Sequence, residues 1–261
     1  MKKYYELLKI ELRITFLSRL QYKVGMISDF IMIVGVFLIA FFFNEGSPLK
    51  IYYDISSNDG NILFFIGFLF WQFSSLALGF STSIVSSEAS EGILEQKMQS
   101  SFKIQILYFI KLIINLLTNF LIILALIILM FFLTNLTIRD IVFFFVSIIL
   151  NIPAIIGMYG IGLLLSTIVL KEKKSSSLIL IVQTLLIFIS NVMKPLDNII
   201  VALIPYSLGI EICRKIYLEL TVGWELWLGY ICINLFWIMI GSFLFGRALK
   251  IIRREGAFDT Y

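Results

Sequence analysis

The sequence predicts an all-α integral membrane protein with six transmembrane helices, and three observations support that fold class. Hydrophobic residues make up 60% of the 261 residues, and the mean hydropathy is +0.99, whereas soluble domains are usually about 45–50% apolar. Only 15% of the residues are charged. The apolar residues also occur in runs long enough to cross a hydrocarbon core of about 30 Å as helices. We therefore expect residues 1–261 to form a single transmembrane domain.

Six apolar runs are the predicted spans. In order, they cover Met26–Phe43, Ile62–Val85, Ile106–Leu133, Ile141–Leu170, Leu178–Val192 and Trp224–Phe245. The fourth run contains Pro153, which predicts a kink because proline lacks the backbone N–H that a helix interior needs. It also contains small residues that permit close contact between helices. These residues are Gly157, Gly160 and Gly162.

Basic residues predict how the chain lies in the membrane. Sixteen of the 21 lysines and arginines fall before the first span, after the last one, or in and near the second-to-third and fourth-to-fifth connections. Because basic residues are enriched on the cytoplasmic side, both termini and residues 86–105 are predicted to be cytoplasmic.

Residues 1–25 are predicted to form an interfacial helix on the cytoplasmic surface. Lys2, Glu6, Lys9 and Arg13 recur at helical spacing along one stripe. A neighbouring stripe is apolar and consists of Leu7, Ile10, Ile14 and Leu17. Such an amphipathic helix lies along a membrane rather than across it, and a simple basic anchor is the alternative.

Residues 193–223, between the fifth and sixth spans, are predicted to form a re-entrant helical hairpin on the outer side. The segment is largely apolar, yet it contains Pro195 and Pro205. Backbone at membrane depth that does not span must be buried in protein or line a cavity. We therefore expect two short helices joined near Pro205.

Composition excludes several classes of site. The chain has no histidine, which excludes Ser-His and Cys-His catalysis and histidine-ligated metals. Cys213 and Cys232 are isolated, so neither a disulfide nor a metal cage is expected. The glycine-rich phosphate loop of nucleotide hydrolases is missing from the sequence, so we expect this chain to hold no cofactor and not to hydrolyse ATP. Its expected surroundings are membrane lipids, with no nucleic-acid partner.

Residues 86–105 form the most polar stretch in the middle of the chain. Glu88, Glu91 and Glu95 are spaced three and four residues apart, which places them on one face of a helix. We therefore expect a short cytoplasmic helix from Glu88 to Met98, within a helical segment assigned to 88–104. A solvated polar loop is the alternative.

Two motifs and the C-terminal sequence resemble one family of transporters. Residues 91–96 (EGILEQ) resemble the coupling-helix segment of type-2 ABC exporter permeases. Residues 205–214 (PYSLGIEICR) are similar to that family's outer motif, and residues 246–261 resemble its cytoplasmic ending. Because the three occur in the family's order along a six-span plan, the resemblance covers the whole chain.

The resemblance implies a permease that pairs with a second copy or a paralogue and docks a separate ATP-binding subunit, which holds ATP and Mg²⁺. It implies that carboxylates of the coupling helix meet basic groups of that subunit while apolar side chains enter a groove on it. The implied coupling residues are Glu88, Glu91, Gly92, Ile93, Leu94, Glu95 and Met98. The implied outer-motif residues are Pro205, Ser207, Glu211 and Arg214.

Polar residues inside the predicted spans are candidates for a translocation path. Asn115 and Asn119 lie four residues apart along the third span, and Asn151 lies in the fourth. Asparagines in spans more often join helices by hydrogen bonds, so both roles stay open. We expect Asp29, near the start of the first span, to pair with a base such as Lys23.

The resemblance thus implies the membrane subunit of an ATP-driven exporter in a bacterial cell membrane. We favour a hydrophobic or amphipathic cargo (a drug, an antimicrobial peptide or a lipid) over a lipid-linked polysaccharide, because residues 22–30 (YKVGMISDF) lack the entry motif of glycan exporters. An ATP-independent secondary transporter is the other alternative. That class places ionisable groups deep in the membrane, where this sequence has almost none.

Overall fold

The computed structural model of the protein describes residues 6, 9–14, 17, 23–43, 48–99, 103–172 and 176–255. The described residues are helical or lie in short connections, so the all-α class is confirmed. After the helical residues 9–14, the helices in chain order are α1 (Lys23–Phe43), α2 (Pro48–Tyr53), α3 (Ser57–Ser90), α4 (Ile93–Met98), α5 (Ile104–Leu133), α6 (Ile138–Leu150), α7 (Ile152–Glu172), α8 (Ser176–Ile189), α9 (Ile199–Ala202), α10 (Ser207–Tyr217) and α11 (Trp224–Glu255).

Among the described residues, four helices are long and apolar enough to cross a membrane. They are α3, α5, α7 and α11. The first and fifth predicted spans correspond to α1 and α8, whose apolar stretches, Ile27–Phe43 and Ile179–Ile189, are shorter. Length and composition therefore identify four of the six predicted crossings.

The fourth predicted span, Ile141–Leu170, is two helices rather than one kinked helix. Helix α6 ends at Leu150 and α7 begins at Ile152, with Asn151 between them. Pro153 consequently lies in the first turn of α7. Backbone N–H groups in a first turn have no partner within the helix, so the missing N–H of proline costs nothing there.

Helix α7 lies between α3 and α11, and glycines bring the three backbones together. A Cβ atom on Gly241 of α11 would overlap the carbonyl oxygen of Gly160. A Cβ atom on Gly162 would lie 2.8 Å from both the carbonyl oxygen of Leu78 and the side chain of Ser81. The close contacts that the small residues predict are therefore present.

The bundle has two polar ends, named here for the short helix that lies at each. The α2 end contains the connections before α3 and α6, which are joined where the Asn58 amide donates to the carbonyl of Asn135 at 3.1 Å. The α4 end contains the connection between α3 and α5. At this end the hydroxyl of Tyr159 donates to the carbonyl of Gln105 at 2.6 Å, which joins α7 to α5.

The described part of the N-terminal segment is helical, with Lys9, Ile10, Arg13 and Ile14 exposed. The carboxylate of Glu11 lies 3.6 Å from the ammonium of Lys111 at the start of α5. The predicted stripes also include Lys2 and Leu7, which lie outside the described residues.

Candidate functional site

The acidic stretch at the α4 end is divided by a turn at Gly92. Helix α3 continues to Ser90, and Gly92 has φ 71°, the left-handed conformation that ends a helix and that glycine adopts without strain. Helix α4 begins only at Ile93. The prediction of one helix from Glu88 to Met98 is therefore wrong, because the spacing of the three glutamates runs across this turn.

Glu88 faces the interior of the bundle. It is 5% exposed, and its carboxylate accepts a hydrogen bond from the hydroxyl of Tyr108 at 2.8 Å. It also binds the ammonium of Lys97 on α4 and lies 3.4 Å from that of Lys111 on α5. Three side chains of its own chain thus contact the carboxylate that the resemblance assigns to a partner.

The remaining predicted coupling residues divide into buried and exposed ones. Leu94, which the resemblance assigns to a partner's groove, has no exposed surface and packs inside the bundle. Ile93 is half-buried, and the side chain of Met98 lies outside the described residues. The exposed residues of the turn and of α4 are Glu91, Gly92, Glu95, Gln96 and Gln99.

Lys97 is the basic residue that holds α4 in place. Burial lowers the pKa of its ammonium, and the hydrogen bond that the ammonium donates to Glu88 opposes that shift. Its ammonium also lies 5.8 Å from the centre of the Tyr108 ring, within reach of a cation–π interaction. Helix α4 is thus attached to both α3 and α5 by side-chain contacts of Lys97 as well as by the backbone connections.

A polar cavity of about 420 Å³ opens between α1, α3, α5 and α8. Asn115 and Asn119 both line it, and the amide of Asn119 donates to the side chain of Asn115 at 2.7 Å. The other polar lining residues are Asp29, Gln72, Ser75, Gln183 and Thr184. The two candidate path residues of the third span therefore face one space.

Asn151 lies apart from this cavity. It is fully buried, its amide donates to the carbonyl of Phe70 at 3.3 Å, and its own oxygen accepts from Ser74 at 3.4 Å. These contacts join the break between α6 and α7 to α3. The structure does not bring Asn151 together with Asn115 and Asn119.

The outer motif is organised around a buried arginine at the α2 end. Arg214 has no exposed surface. Its guanidinium donates to the carbonyl of Leu63 on α3 at 3.2 Å. It also donates to the carbonyls of Asn191 and Val192, each at 2.7 Å, and to that of Lys194 at 3.2 Å. The charge thus binds the unpaired carbonyls that follow the end of α8, where the helix dipole is negative.

The other three residues of the outer motif are also buried. Glu211 is 5% exposed, and its carboxylate accepts from the hydroxyl of Tyr53 on α2 at 2.9 Å. Burial and the charge of Glu211 raise the pKa of Tyr53. Pro205 and Ser207 contribute their carbonyls, which accept from Asn234 at 3.1 Å and from Asn191 at 2.9 Å.

The sequence analysis missed a buried acid at the same end. Asp140 is 3% exposed and accepts from the hydroxyl of Tyr217 at 2.7 Å. Its other oxygen accepts from the backbone N–H and the hydroxyl of Thr137, at 2.8 Å and 2.7 Å. The Thr-x-x-Asp spacing at the start of α6 is a capping signal that could have located it.

The regions described above lie within the match to a known family. The family model of the ABC-2 type transporter matches residues 6–218, which include α4, the polar cavity and the outer motif. No curated protein matches the chain. Members of this family are multi-pass membrane permease components that act with ATP-binding cassette subunits, usually as dimers. The chain therefore belongs to the ABC-2 type transporter family as a permease subunit.

Proposed function

We propose that this permease is the membrane subunit of an ATP-driven exporter and that α4 is its coupling element. ATP and Mg²⁺ are held by a separate ATP-binding subunit, and two permeases, identical or paralogous, form the translocation unit. The observation that carries the proposal is the attachment of α4 to the bundle through Glu88, since an element fixed in this way transmits a displacement instead of absorbing it.

The path of transmission follows from the contacts. A displacement of α4 moves Lys97 and therefore Glu88 at the end of α3. Tyr108 and Lys111 carry the same displacement to the start of α5. Helices α3 and α5 both line the polar cavity, so motion at the α4 end changes the shape of the proposed cargo path.

The surface proposed to meet the ATP-binding subunit is smaller than the sequence predicts. It consists of the exposed turn and outer side of α4, with Glu91 and Glu95 as the charged groups. Exposed carboxylates can form charge-assisted hydrogen bonds with basic or backbone donors of a partner. Glu88 and Leu94 are buried beneath this surface and hold α4 against the bundle.

In the proposed topology the chain crosses the membrane six times, with α6 and α7 as one crossing. Both termini and the α4 end are cytoplasmic, in a bacterial cell membrane. Helices α9 and α10 re-enter from the outer side on either side of Pro205, held by Arg214. The exposed apolar side chains of Ile10, Ile14 and Leu17 support an N-terminal helix that lies on the cytoplasmic surface.

The cargo proposed for this exporter is hydrophobic or amphipathic: a drug, an antimicrobial peptide or a lipid. The mixed lining of the cavity supports this class, since apolar walls with a few polar groups are typical of small-molecule sites.

The test is the double substitution Glu91→Ala with Glu95→Ala. We expect the permease to insert and fold, because both side chains are exposed, but to lose co-purification with its ATP-binding subunit or ATP-driven dye extrusion from inside-out vesicles. The matched control is Asp197→Ala with Glu225→Ala, which removes two exposed carboxylates at the α2 end. Normal assembly and extrusion by the first variant would refute the coupling role.

A further inference from the structure

We propose that the polar cavity binds the cationic head of an amphipathic ligand, with Asp29 as the counter-charge and Gln72 as the hydrogen-bonding group. The inference rests on the proposed function, because it names the chemical class of the exported cargo. It is carried by three features of the cavity: an amide and a carboxylate that no described side chain binds, and an apolar wall.

The amide of Gln72 is the first feature. Gln72 lies near the middle of α3, is 5% exposed and lines the cavity. Its side chain forms no hydrogen bond with any described residue, although buried amides are nearly always paired. The neighbouring Gln183, in contrast, donates to the carbonyl of Ser75 at 2.7 Å. Gln72 therefore presents both a donor and an acceptor to whatever occupies the cavity.

The carboxylate of Asp29 is the second feature. It lies on α1, six residues after that helix begins at Lys23, and it forms no ion pair with a described side chain. The expected pairing with Lys23 concerns a side chain outside the described residues, and helical geometry opposes it: six positions along a helix turn the side chain by about 240°, away from the same face. Asp29 is exposed and lines the cavity, so its charge is accessible to a cation that enters the cavity.

The apolar wall is the third feature. The apolar lining residues are Met32, Ile33, Val36, Trp71, Leu76 and Leu180. The indole N–H of Trp71 donates to the carbonyl of Gln183 at 3.1 Å, which holds the ring in place. This wall can receive an alkyl or aromatic body, and the cavity volume of about 420 Å³ is in the range of small-molecule sites.

The sign of the expected charge follows from the lining. Asp29 is the one charged residue among the described lining residues, and basic side chains are missing from that set. The carboxylate would repel an anionic head, and an uncharged head would gain no Coulomb attraction from it. A cationic head pairs with Asp29 while its apolar body lies against Trp71.

The test uses two probes that share an alkyl chain: decylammonium and decanol. Their binding to the complete transporter in nanodiscs is measured by equilibrium dialysis, with binding to empty nanodiscs subtracted. We expect the native protein to bind decylammonium at least about tenfold more tightly than decanol. Equal affinities for the two probes would overturn the proposal without the need for any variant.

Substitutions then test which residues cause the preference for decylammonium. Asp29→Asn keeps the shape of the side chain and should abolish the preference for decylammonium, whereas Asp29→Glu should keep it. Gln72→Leu should weaken the binding of both probes by several fold, because either head can form a hydrogen bond with the amide. Asp197→Asn, at an exposed carboxylate outside the cavity, is the matched control and should bind as the native protein does. If Asp29→Asn kept the full preference for decylammonium, Asp29 would not be the counter-charge.

Co-purification of the ATP-binding subunit and ATP hydrolysis are measured on the same preparations. A complex that assembles and hydrolyses ATP but shows no preference disproves the ligand class and leaves the proposed function standing. A chain that prefers decylammonium but never assembles with an ATP-binding subunit disproves the proposed function instead.

Discussion

The carboxylate of Glu88 binds the ammonium of Lys97, and this ion pair joins the end of α3 to α4 across the turn at Gly92. The side chain of Glu88 is 7% exposed and that of Lys97 is 21% exposed, so water screens the pair only in part. The pair therefore adds a side-chain link between α3 and α4 to the backbone connection at the turn.

Glu88→Ala should lower both stability and coupling. The substitution leaves the buried hydroxyl of Tyr108 without its acceptor and removes the carboxylate that binds Lys97, at a cost of about 1–3 kcal/mol for the hydroxyl. Thermal unfolding in detergent measures the effect. Glu91→Ala, an exposed neighbour, is the control, and equal unfolding temperatures for the two variants would contradict the role of Glu88.

Gly92→Ala should destabilise the turn before α4 by about 1–2 kcal/mol, since residues with a side chain are strained in the left-handed conformation. The effect is conformational, because a Cβ atom at this position would meet nothing within 4 Å. Gly92→Asn should be tolerated better, as asparagine visits that conformation more readily. Gly35→Ala has equal space and no positive φ, so it should be harmless. Thermal unfolding that ranks these variants differently would show that the turn is not required.

Arg214→Lys should strongly destabilise the α2 end. An ammonium cannot donate along the directions that the guanidinium uses to reach Leu63, Asn191 and Val192, so buried carbonyls lose their partners. The matched control is Arg139→Lys, at a 60% exposed side chain that pairs with Glu219 at 2.8 Å. Exposed pairs contribute about 0–1 kcal/mol. A similar drop in unfolding temperature for both variants would rule out the structural role of Arg214.

Gly241→Ala should disrupt the contact between α11 and α7, because a Cβ atom there would overlap the carbonyl of Gly160. Overpacking of this kind costs about 1–3 kcal/mol or displaces the helices. Gly246→Ala, on the same helix, would meet only the end of the Gln105 side chain at 3.3 Å and serves as the control. Size-exclusion profiles and unfolding temperatures distinguish the two; indistinguishable results would mean that α7 and α11 separate easily.

The helical class and most helix positions are predictable from the sequence, because hydropathy along a span depends on each residue alone. The burial of Glu88 is not. Its partners Lys97 and Lys111 come from α4 and α5. The spacing of residues along one helix does not predict contacts with other helices. The glycine at position 92 was the available signal, since glycine just after a helix is a common way to end it.

The polar residues of the spans show the same limit. The spacing of Asn115 and Asn119 correctly predicts a shared face, because four residues are about one helical turn. It cannot report that Asn151 bonds to the backbone of α3 instead. Nor can composition predict that Arg214 binds carbonyls rather than a carboxylate, since backbone acceptors are the same in every sequence.

The position of Arg214 also has a consequence for the biosynthesis of the protein. Its acceptors, the carbonyls of residues 63, 191, 192 and 194, all precede it along the chain and emerge from the ribosome first. Until α10 is synthesised, the carbonyls after α8 have no guanidinium to bind. Insertion of the earlier helices therefore leaves these four carbonyls without their native partner until Arg214 emerges.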